Sequence, residues 1–254
     1  MSGTSSLLVL SAAILALTPL LWRLAGTVPA ALLPIPFVVA WLLAAGRWAQ
    51  ARDTWASVAA GAVLGLGLYS SLASIVMMPL YLALTVTIFA RGGVASWRQS
   101  GLCVAAFALT AAPFAVSWVS HPDQLREVIN AHHLYDADRF SIRQGIREMA
   151  SWVGLTARSE VYWDYFNPAF LFLTGGVLLP PVLVLLPAGL FRMVRDEPAP
   201  LAQLLLAGFA VAPLAASLTA EAPVPGRIIF LTPFAAVISA RGLQYLLTLT
   251  KRSR

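Results

Sequence analysis

The chain spells out about eight apolar runs, interrupted once by a long polar excursion from Ser120 to Phe166. Nothing else in it constrains the fold as tightly. With 59% hydrophobic and 11% charged side chains, it is too apolar for a soluble globule, in which about a quarter of residues are charged. Hydrocarbon leaves every backbone amide and carbonyl dependent on an internal partner, so only helices and closed barrels cross it. The runs lack the two-residue alternation of barrel strands. The fold class is therefore all-α: a polytopic helical membrane bundle of about eight transmembrane helices with one outward-facing loop of short amphipathic helices.

The spans are read as 7–22, 30–45, 56–70, 72–90, 101–119, 170–191, 201–218 and 228–247 within a single membrane domain covering 1–254, and 120–166 forms the outer loop. Several are shorter than the ~20 residues usual for a crossing. Threading them alternately places Arg47, Arg52, Arg91, Arg98, Arg192, Arg195, Arg241, Lys251, Arg252 and Arg254 on one side, opposed by Asp53, Asp196 and Glu197, for a net +7. The other side carries seven arginines against eight carboxylates and nets −1. The positive-inside rule makes the first side cytoplasmic, with both termini there and the excursion outside. Trp22, Trp48, Trp55, Trp97 and Trp118 fall near run ends, as interfacial rings do. The basic residues are dispersed among loops, so the pI near 10.1 reads as a topology signal and not as a nucleic-acid surface.

Local features carry two readings each. Gly61, Gly65 and Gly67 form a small-residue stripe that permits close helix approach. Pro113, Pro180, Pro181, Pro187 and Pro213 are expected to kink their helices or leave half-helices, for structural reasons or to line a cavity. Within the excursion, Leu125, Val128, Ile129 and His132, and again Ile142, Ile146, Met149 and Val153, recur at helical spacing and predict two amphipathic surface helices. Adjacent His132 and His133 point about 100° apart on a helix, and no spaced His or Cys completes a metal set. No metal and no cofactor is expected. The segment Arg158–Asp164 concentrates Arg158, Glu160 and Asp164 with Tyr162 and Trp163, which suits an anionic headgroup and a sugar face; an interfacial anchor explains its rings equally well. Glu221 and Arg227 share the last outward turn, where an arginine holds a phosphate bidentately or caps the span in the headgroup layer.

Ala60–Pro79, reading AGAVLGLGLYSSLASIVMMP, resembles the integral-membrane glycosyltransferases of the GT-C superfamily, in the branch of protein-O-mannosyltransferases and aminoarabinose transferases. The resemblance continues through Tyr165–Gly176, through Glu221–Arg227 with Pro233, and through Ala16–Arg23. It implies a polyprenyl-phosphate-linked sugar donor, membrane lipid as surroundings, transfer on the outer face, and a bacterial inner or plasma membrane. It also implies that Arg158, Glu160, Asp164, Glu221 and Arg227 contact donor or acceptor. In the family the key acid lies in the first outer loop; here that loop, 23–29, contains no Asp or Glu. The expectation is accordingly a C-terminal portion of such an enzyme, with the missing carboxylate supplied by an N-terminal half or partner chain, and no catalytic residue is assigned. The alternatives are a non-enzymatic membrane subunit using the glycine stripe for association, and a transporter. Against the transporter stands the lack of an ionisable residue near mid-span, where coupling ions leave one; Arg241 comes closest and can snorkel to the cytoplasmic end.

Overall fold

The computed structural model describes residues 3–120, 144, 147, 151–195, 199–218 and 222–252. Within these residues the chain is a helical bundle without strands. The helices are α1 (Gly3–Ala16), α2 (Pro19–Thr27), α3 (Pro34–Ala51), α4 (Thr54–Gly67), α5 (Leu72–Arg91), α6 (Trp97–Ser120), α7 (Trp152–Asp164), α8 (Val182–Arg195), α9 (Pro200–Val211), α10 (Leu214–Ser217) and α11 (Leu231–Arg252). The two amphipathic helices expected in the excursion fall mostly outside the described residues, as do all three histidines and Glu221.

Among the described residues four helical stretches are long and apolar enough to cross a membrane: Ala30–Ala51, Leu72–Arg91, Trp97–Trp118 and Pro200–Ser217. A fifth is formed if the pair Ser6–Ala16 and Pro19–Thr27, bent by 50°, counts as one span. Thr54–Gly67 is apolar but shorter. The bend has a local cause. Pro19 has no amide hydrogen to continue α1, and the freed groups find other partners: Trp22 Nε1 donates to the Ala16 carbonyl at 2.7 Å and Thr18 Oγ1 to that of Ile14 at 2.9 Å.

The expected run 170–191 is likewise broken. A single π-turn spans Phe170–Thr174, Gly176 turns the chain with φ +54°, and the Pro180–Pro181 pair precedes α8. The Leu171 carbonyl accepts from both Val177 and Leu178, at 2.9 Å each, so the break stays internally bonded. By contrast Pro79, Pro113 and Pro187 sit inside helices that continue past them.

Packing relies on small residues, as expected where lipid supplies no hydrophobic drive between helices. A Cβ on Gly61 would strike the Cys103 carbonyl oxygen, and one on Gly65 would strike Thr110 Oγ1, so the glycine stripe of α4 is filled by α6 of the same chain. Gly189 of α8 and Gly242 of α11 similarly meet the backbones of Ile238 and Leu185. Between these pairs lies an aromatic core: Trp41 stacks on Tyr81 with centroids 4.8 Å apart, and Phe234 meets both rings. Trp41 Nε1 donates to Thr85 Oγ1 at 3.1 Å, satisfying the one polar atom the indole brings inside.

The contacts define two ends. Gln99 Nε2 donates to the Arg52 carbonyl at 2.7 Å, Gly92 abuts Pro200, and Arg192 lies over the Tyr245 ring at 5.4 Å, so Arg47, Arg52, Arg91, Arg98, Arg192 and Arg195 gather at one end. Arg23, Arg158 and Arg227 gather at the other.

Candidate functional site

At the second end the chain leaves two adjoining cavities. One, of about 540 Å³, lies between α2 and the 3₁₀ turn Pro225–Ile228, lined by Leu20, Arg23, Leu24, Thr27 and Arg227 among others. The other, of about 350 Å³, reaches down between the start of α5 and the end of α10 to a floor that includes Phe230, with Ser71, Val76 and Leu218 on its walls. Ala31, Gly226 and Arg227 border both. Arg227 is thus the basic side chain common to the two, and no carboxylate among the described residues lines either.

Each wall is fixed by a polar tie. Arg23 is the only charged side chain before Arg47, and its Nη1 donates to the Gly175 carbonyl at 2.9 Å, joining α2 to the break before α8. Arg158 Nε donates to the Leu218 carbonyl at 2.9 Å and its Nη1 to the Gly154 carbonyl at 3.0 Å. Partial burial holds the Arg158 guanidinium below its usual pKa, because low-dielectric surroundings disfavour the cation. The Tyr165 hydroxyl accepts from the Val224 amide at 3.2 Å, which positions the approach to Pro225–Ile228 from α7's C-terminal end.

These ties explain how the sequence-level candidates are distributed. Ser151 caps α7, its Oγ accepting from the Gly154 amide at 3.2 Å. Gly154, Arg158, Val161 and Tyr165 then recur at i, i+4, i+7 and i+11 on the half-buried to buried face. Glu160 and Asp164 fall on the exposed face and line neither cavity. Arg158 and Arg227 are brought to the same region, since Leu218 accepts from the first and borders the cavity of the second. Tyr162 uses its hydroxyl to donate to the Ala210 carbonyl at 2.6 Å, and burial raises its pKa. Arg23 and Tyr165 are the members that residue-type reasoning did not single out. The signal for Arg23 was its isolation in an otherwise uncharged stretch.

The arrangement can hold an anion in an apolar groove. A guanidinium offers five donors in a planar fork that fits a phosphate, and cavities with mostly apolar walls accommodate the chain of a lipid. The described residues contain no group of three or more His, Cys, Asp or Glu placed to hold a metal. No protein-family model, curated protein or solved structure matches the chain.

Proposed function

We propose that this chain is part of a polyprenyl-phosphate-sugar-dependent membrane glycosyltransferase, in which the end carrying Arg23, Arg158 and Arg227 receives the lipid-linked donor. The observation that carries the reading is Arg227 at the junction of two apolar-walled cavities. There a cation meets the phosphate while the prenyl chain runs along the groove. In sugar transfer the leaving group is a lipid phosphate whose negative charge grows as the glycosidic bond breaks, and a positioned guanidinium stabilises that charge. The reading places this end on the outer face, threads about eight spans through a bacterial inner or plasma membrane, and leaves both termini cytoplasmic, supported by the excess of arginine at the opposite end. The acid that would deprotonate the acceptor lies outside the described residues bordering the cavities.

The test is direct binding of a polyprenyl phosphate to the purified chain, with the matching polyprenol as control. Preferential binding of the phosphate is expected, weakened about tenfold or more in Arg227→Gln, as for loss of a charge-assisted hydrogen bond. Equal affinity for phosphate and alcohol would remove the reading.

One observation favours a non-enzymatic membrane subunit instead: the cavities are bordered by cations without a described carboxylate. Such a subunit would bind the lipid phosphate and transfer no sugar, alone or with added partner chains.

A further inference from the structure

The opposite end of the bundle carries a second feature, independent of the donor cavities. The α3–α4 turn and the α5–α6 turn are tied together there by Gln99, whose Nε2 donates to the Arg52 carbonyl at 2.7 Å and whose Oε1 accepts from the Ser96 amide at 3.1 Å. Arg52 holds the turn in the left-handed region, φ 52°. This tie sets Arg52 beside the start of α6, where Arg98 follows Trp97. Arg91 lies on the last turn of α5, and Arg47 lies in α3, five residues before Arg52. All four arginines are exposed. The one described carboxylate of this corner, Asp53, is occupied as the cap of α4, accepting from the Trp55 amide at 3.0 Å. Two indoles flank the group almost fully uncovered, Trp55 at 79% and Trp97 at 89% exposure.

Rings left so bare are costly in water and favourable at the boundary between acyl chains and headgroups, where an amphipathic indole has one end apolar and one end wet. That places the arginines at headgroup depth, without an opposing described charge other than the engaged Asp53. We propose that this corner is a binding site for the phosphate of an acidic phospholipid, held between Arg52 and Arg98 with Trp55 and Trp97 flanking its glycerol and upper acyl chains. The occupant is a lipid of the leaflet at this end and not a soluble anion: a free phosphate would leave both indoles exposed, whereas a lipid covers them and neutralises the arginines together.

The experiment titrates the purified full chain in neutral detergent with phosphatidylglycerol, with phosphatidylcholine, and with inorganic phosphate, reading thermal stability and the lipid retained in native mass spectrometry. Phosphatidylglycerol is expected to raise the melting temperature and stay bound, and the other two to do neither. The double variant Arg52→Gly, Arg98→Gln removes both charges while keeping the turn, because glycine adopts φ 52° without strain and Gln99 bonds to the backbone of residue 52. Its apparent affinity for phosphatidylglycerol is expected to fall about thirtyfold, from two arginines near the membrane surface, with its melting temperature in detergent alone unchanged. Arg192→Gln with Arg195→Gln, at the same end but engaged over the rings of Tyr245 and Phe191, is the control and is expected to keep the affinity. Equal effects of the two lipids would overturn the site. So would a matching stabilisation by inorganic phosphate, or an equal loss in the control pair, which would mean diffuse charge. None of these outcomes bears on polyprenyl phosphate binding at Arg227.

Discussion

Arg158 donates from Nε to the Leu218 carbonyl, 2.9 Å away and sixty positions on in the chain. Through that bond α7, the most polar of the described helices, is fastened to the end of α10 and hence to the rim of the deeper cavity. The same guanidinium bonds Gly154 one turn back along its own helix, and a lysine, whose three donors all sit on one nitrogen, lacks the rigid planar fork that makes the two contacts from separate atoms. Arg158→Lys and Arg158→Ala are both expected to destabilise the chain by roughly 1–3 kcal/mol, the range for a hydrogen bond from a charged group whose partner is then left bare. Unfolding by denaturing detergent measures it. Retention of full stability in the lysine variant would mean that only the charge mattered.

Tyr162, on the same helix, makes a pH prediction. Burial raises its phenol above the ordinary value of 10.0, so the folded chain holds that proton more tightly than the unfolded one. The associated stability is complete below pH 10.0 and is lost as pH rises through the folded value. A melting series on the alkaline side is expected to fall more steeply for the parent chain than for Tyr162→Phe. The variant itself is expected to lose about 1 kcal/mol at neutral pH with the Ala210 hydrogen bond. Parallel alkaline slopes would assign the loss to other groups.

The glycines of α4 and α6 separate packing from propensity. Gly61→Ala or Gly65→Ala drives a methyl into the backbone of Cys103 or into Thr110, and the helices must part, at a cost of roughly 1–3 kcal/mol or more. Gly101 lies in α6 with open space around it, nothing standing within 4 Å of the point a Cβ would occupy, so Gly101→Ala is expected to be neutral or to stabilise by about 0.5–1 kcal/mol. Comparing the three variants by melting temperature in one detergent checks both signs. Because the stripe is already occupied by α6, loss of association with a separate partner is not the primary effect expected of these substitutions.

How much of this was legible in the sequence varies with the physics behind each element. The helical class follows from the cost of unpaired backbone in hydrocarbon, which composition reports directly. Prolines mark the breaks at Thr18–Pro19 and Gly175–Pro181, yet Pro79, Pro113 and Pro187 lie within continuous helices. A proline deletes one hydrogen bond everywhere, and only the surroundings decide whether the helix stops. At the site, residue type groups Arg158 with Glu160 and Asp164 by proximity along the chain. The helical period separates them, turning Arg158 and Val161 inward and the two acids outward. Arg23 is hidden for a different reason: its partner is a main-chain oxygen 152 residues away, and a carbonyl leaves no trace in a sequence.

That carbonyl belongs to Gly175, and its neighbour supplies the last test. Gly176 has φ +54°, where an L-residue pays for crowding between its Cβ and the following carbonyl, about 1–2 kcal/mol. A Cβ there would also stand 3.3 Å from Arg23 Nη1, close enough that the guanidinium must shift by a few tenths of an ångström where it bonds the Gly175 oxygen. Gly176→Ala is therefore expected to destabilise the chain by about 1–3 kcal/mol, summing backbone strain with part of a charged hydrogen bond. Arg23→Met, which removes the bond without touching the turn, should reproduce only the second part. The double variant decides whether the two are linked. If the glycine acts partly through Arg23, the double variant loses less than the two single losses added together, as residues sharing one contact do. Strict additivity in unfolding measurements would show that the turn at Gly176 and the Arg23 tie hold α2 against the α8 break independently.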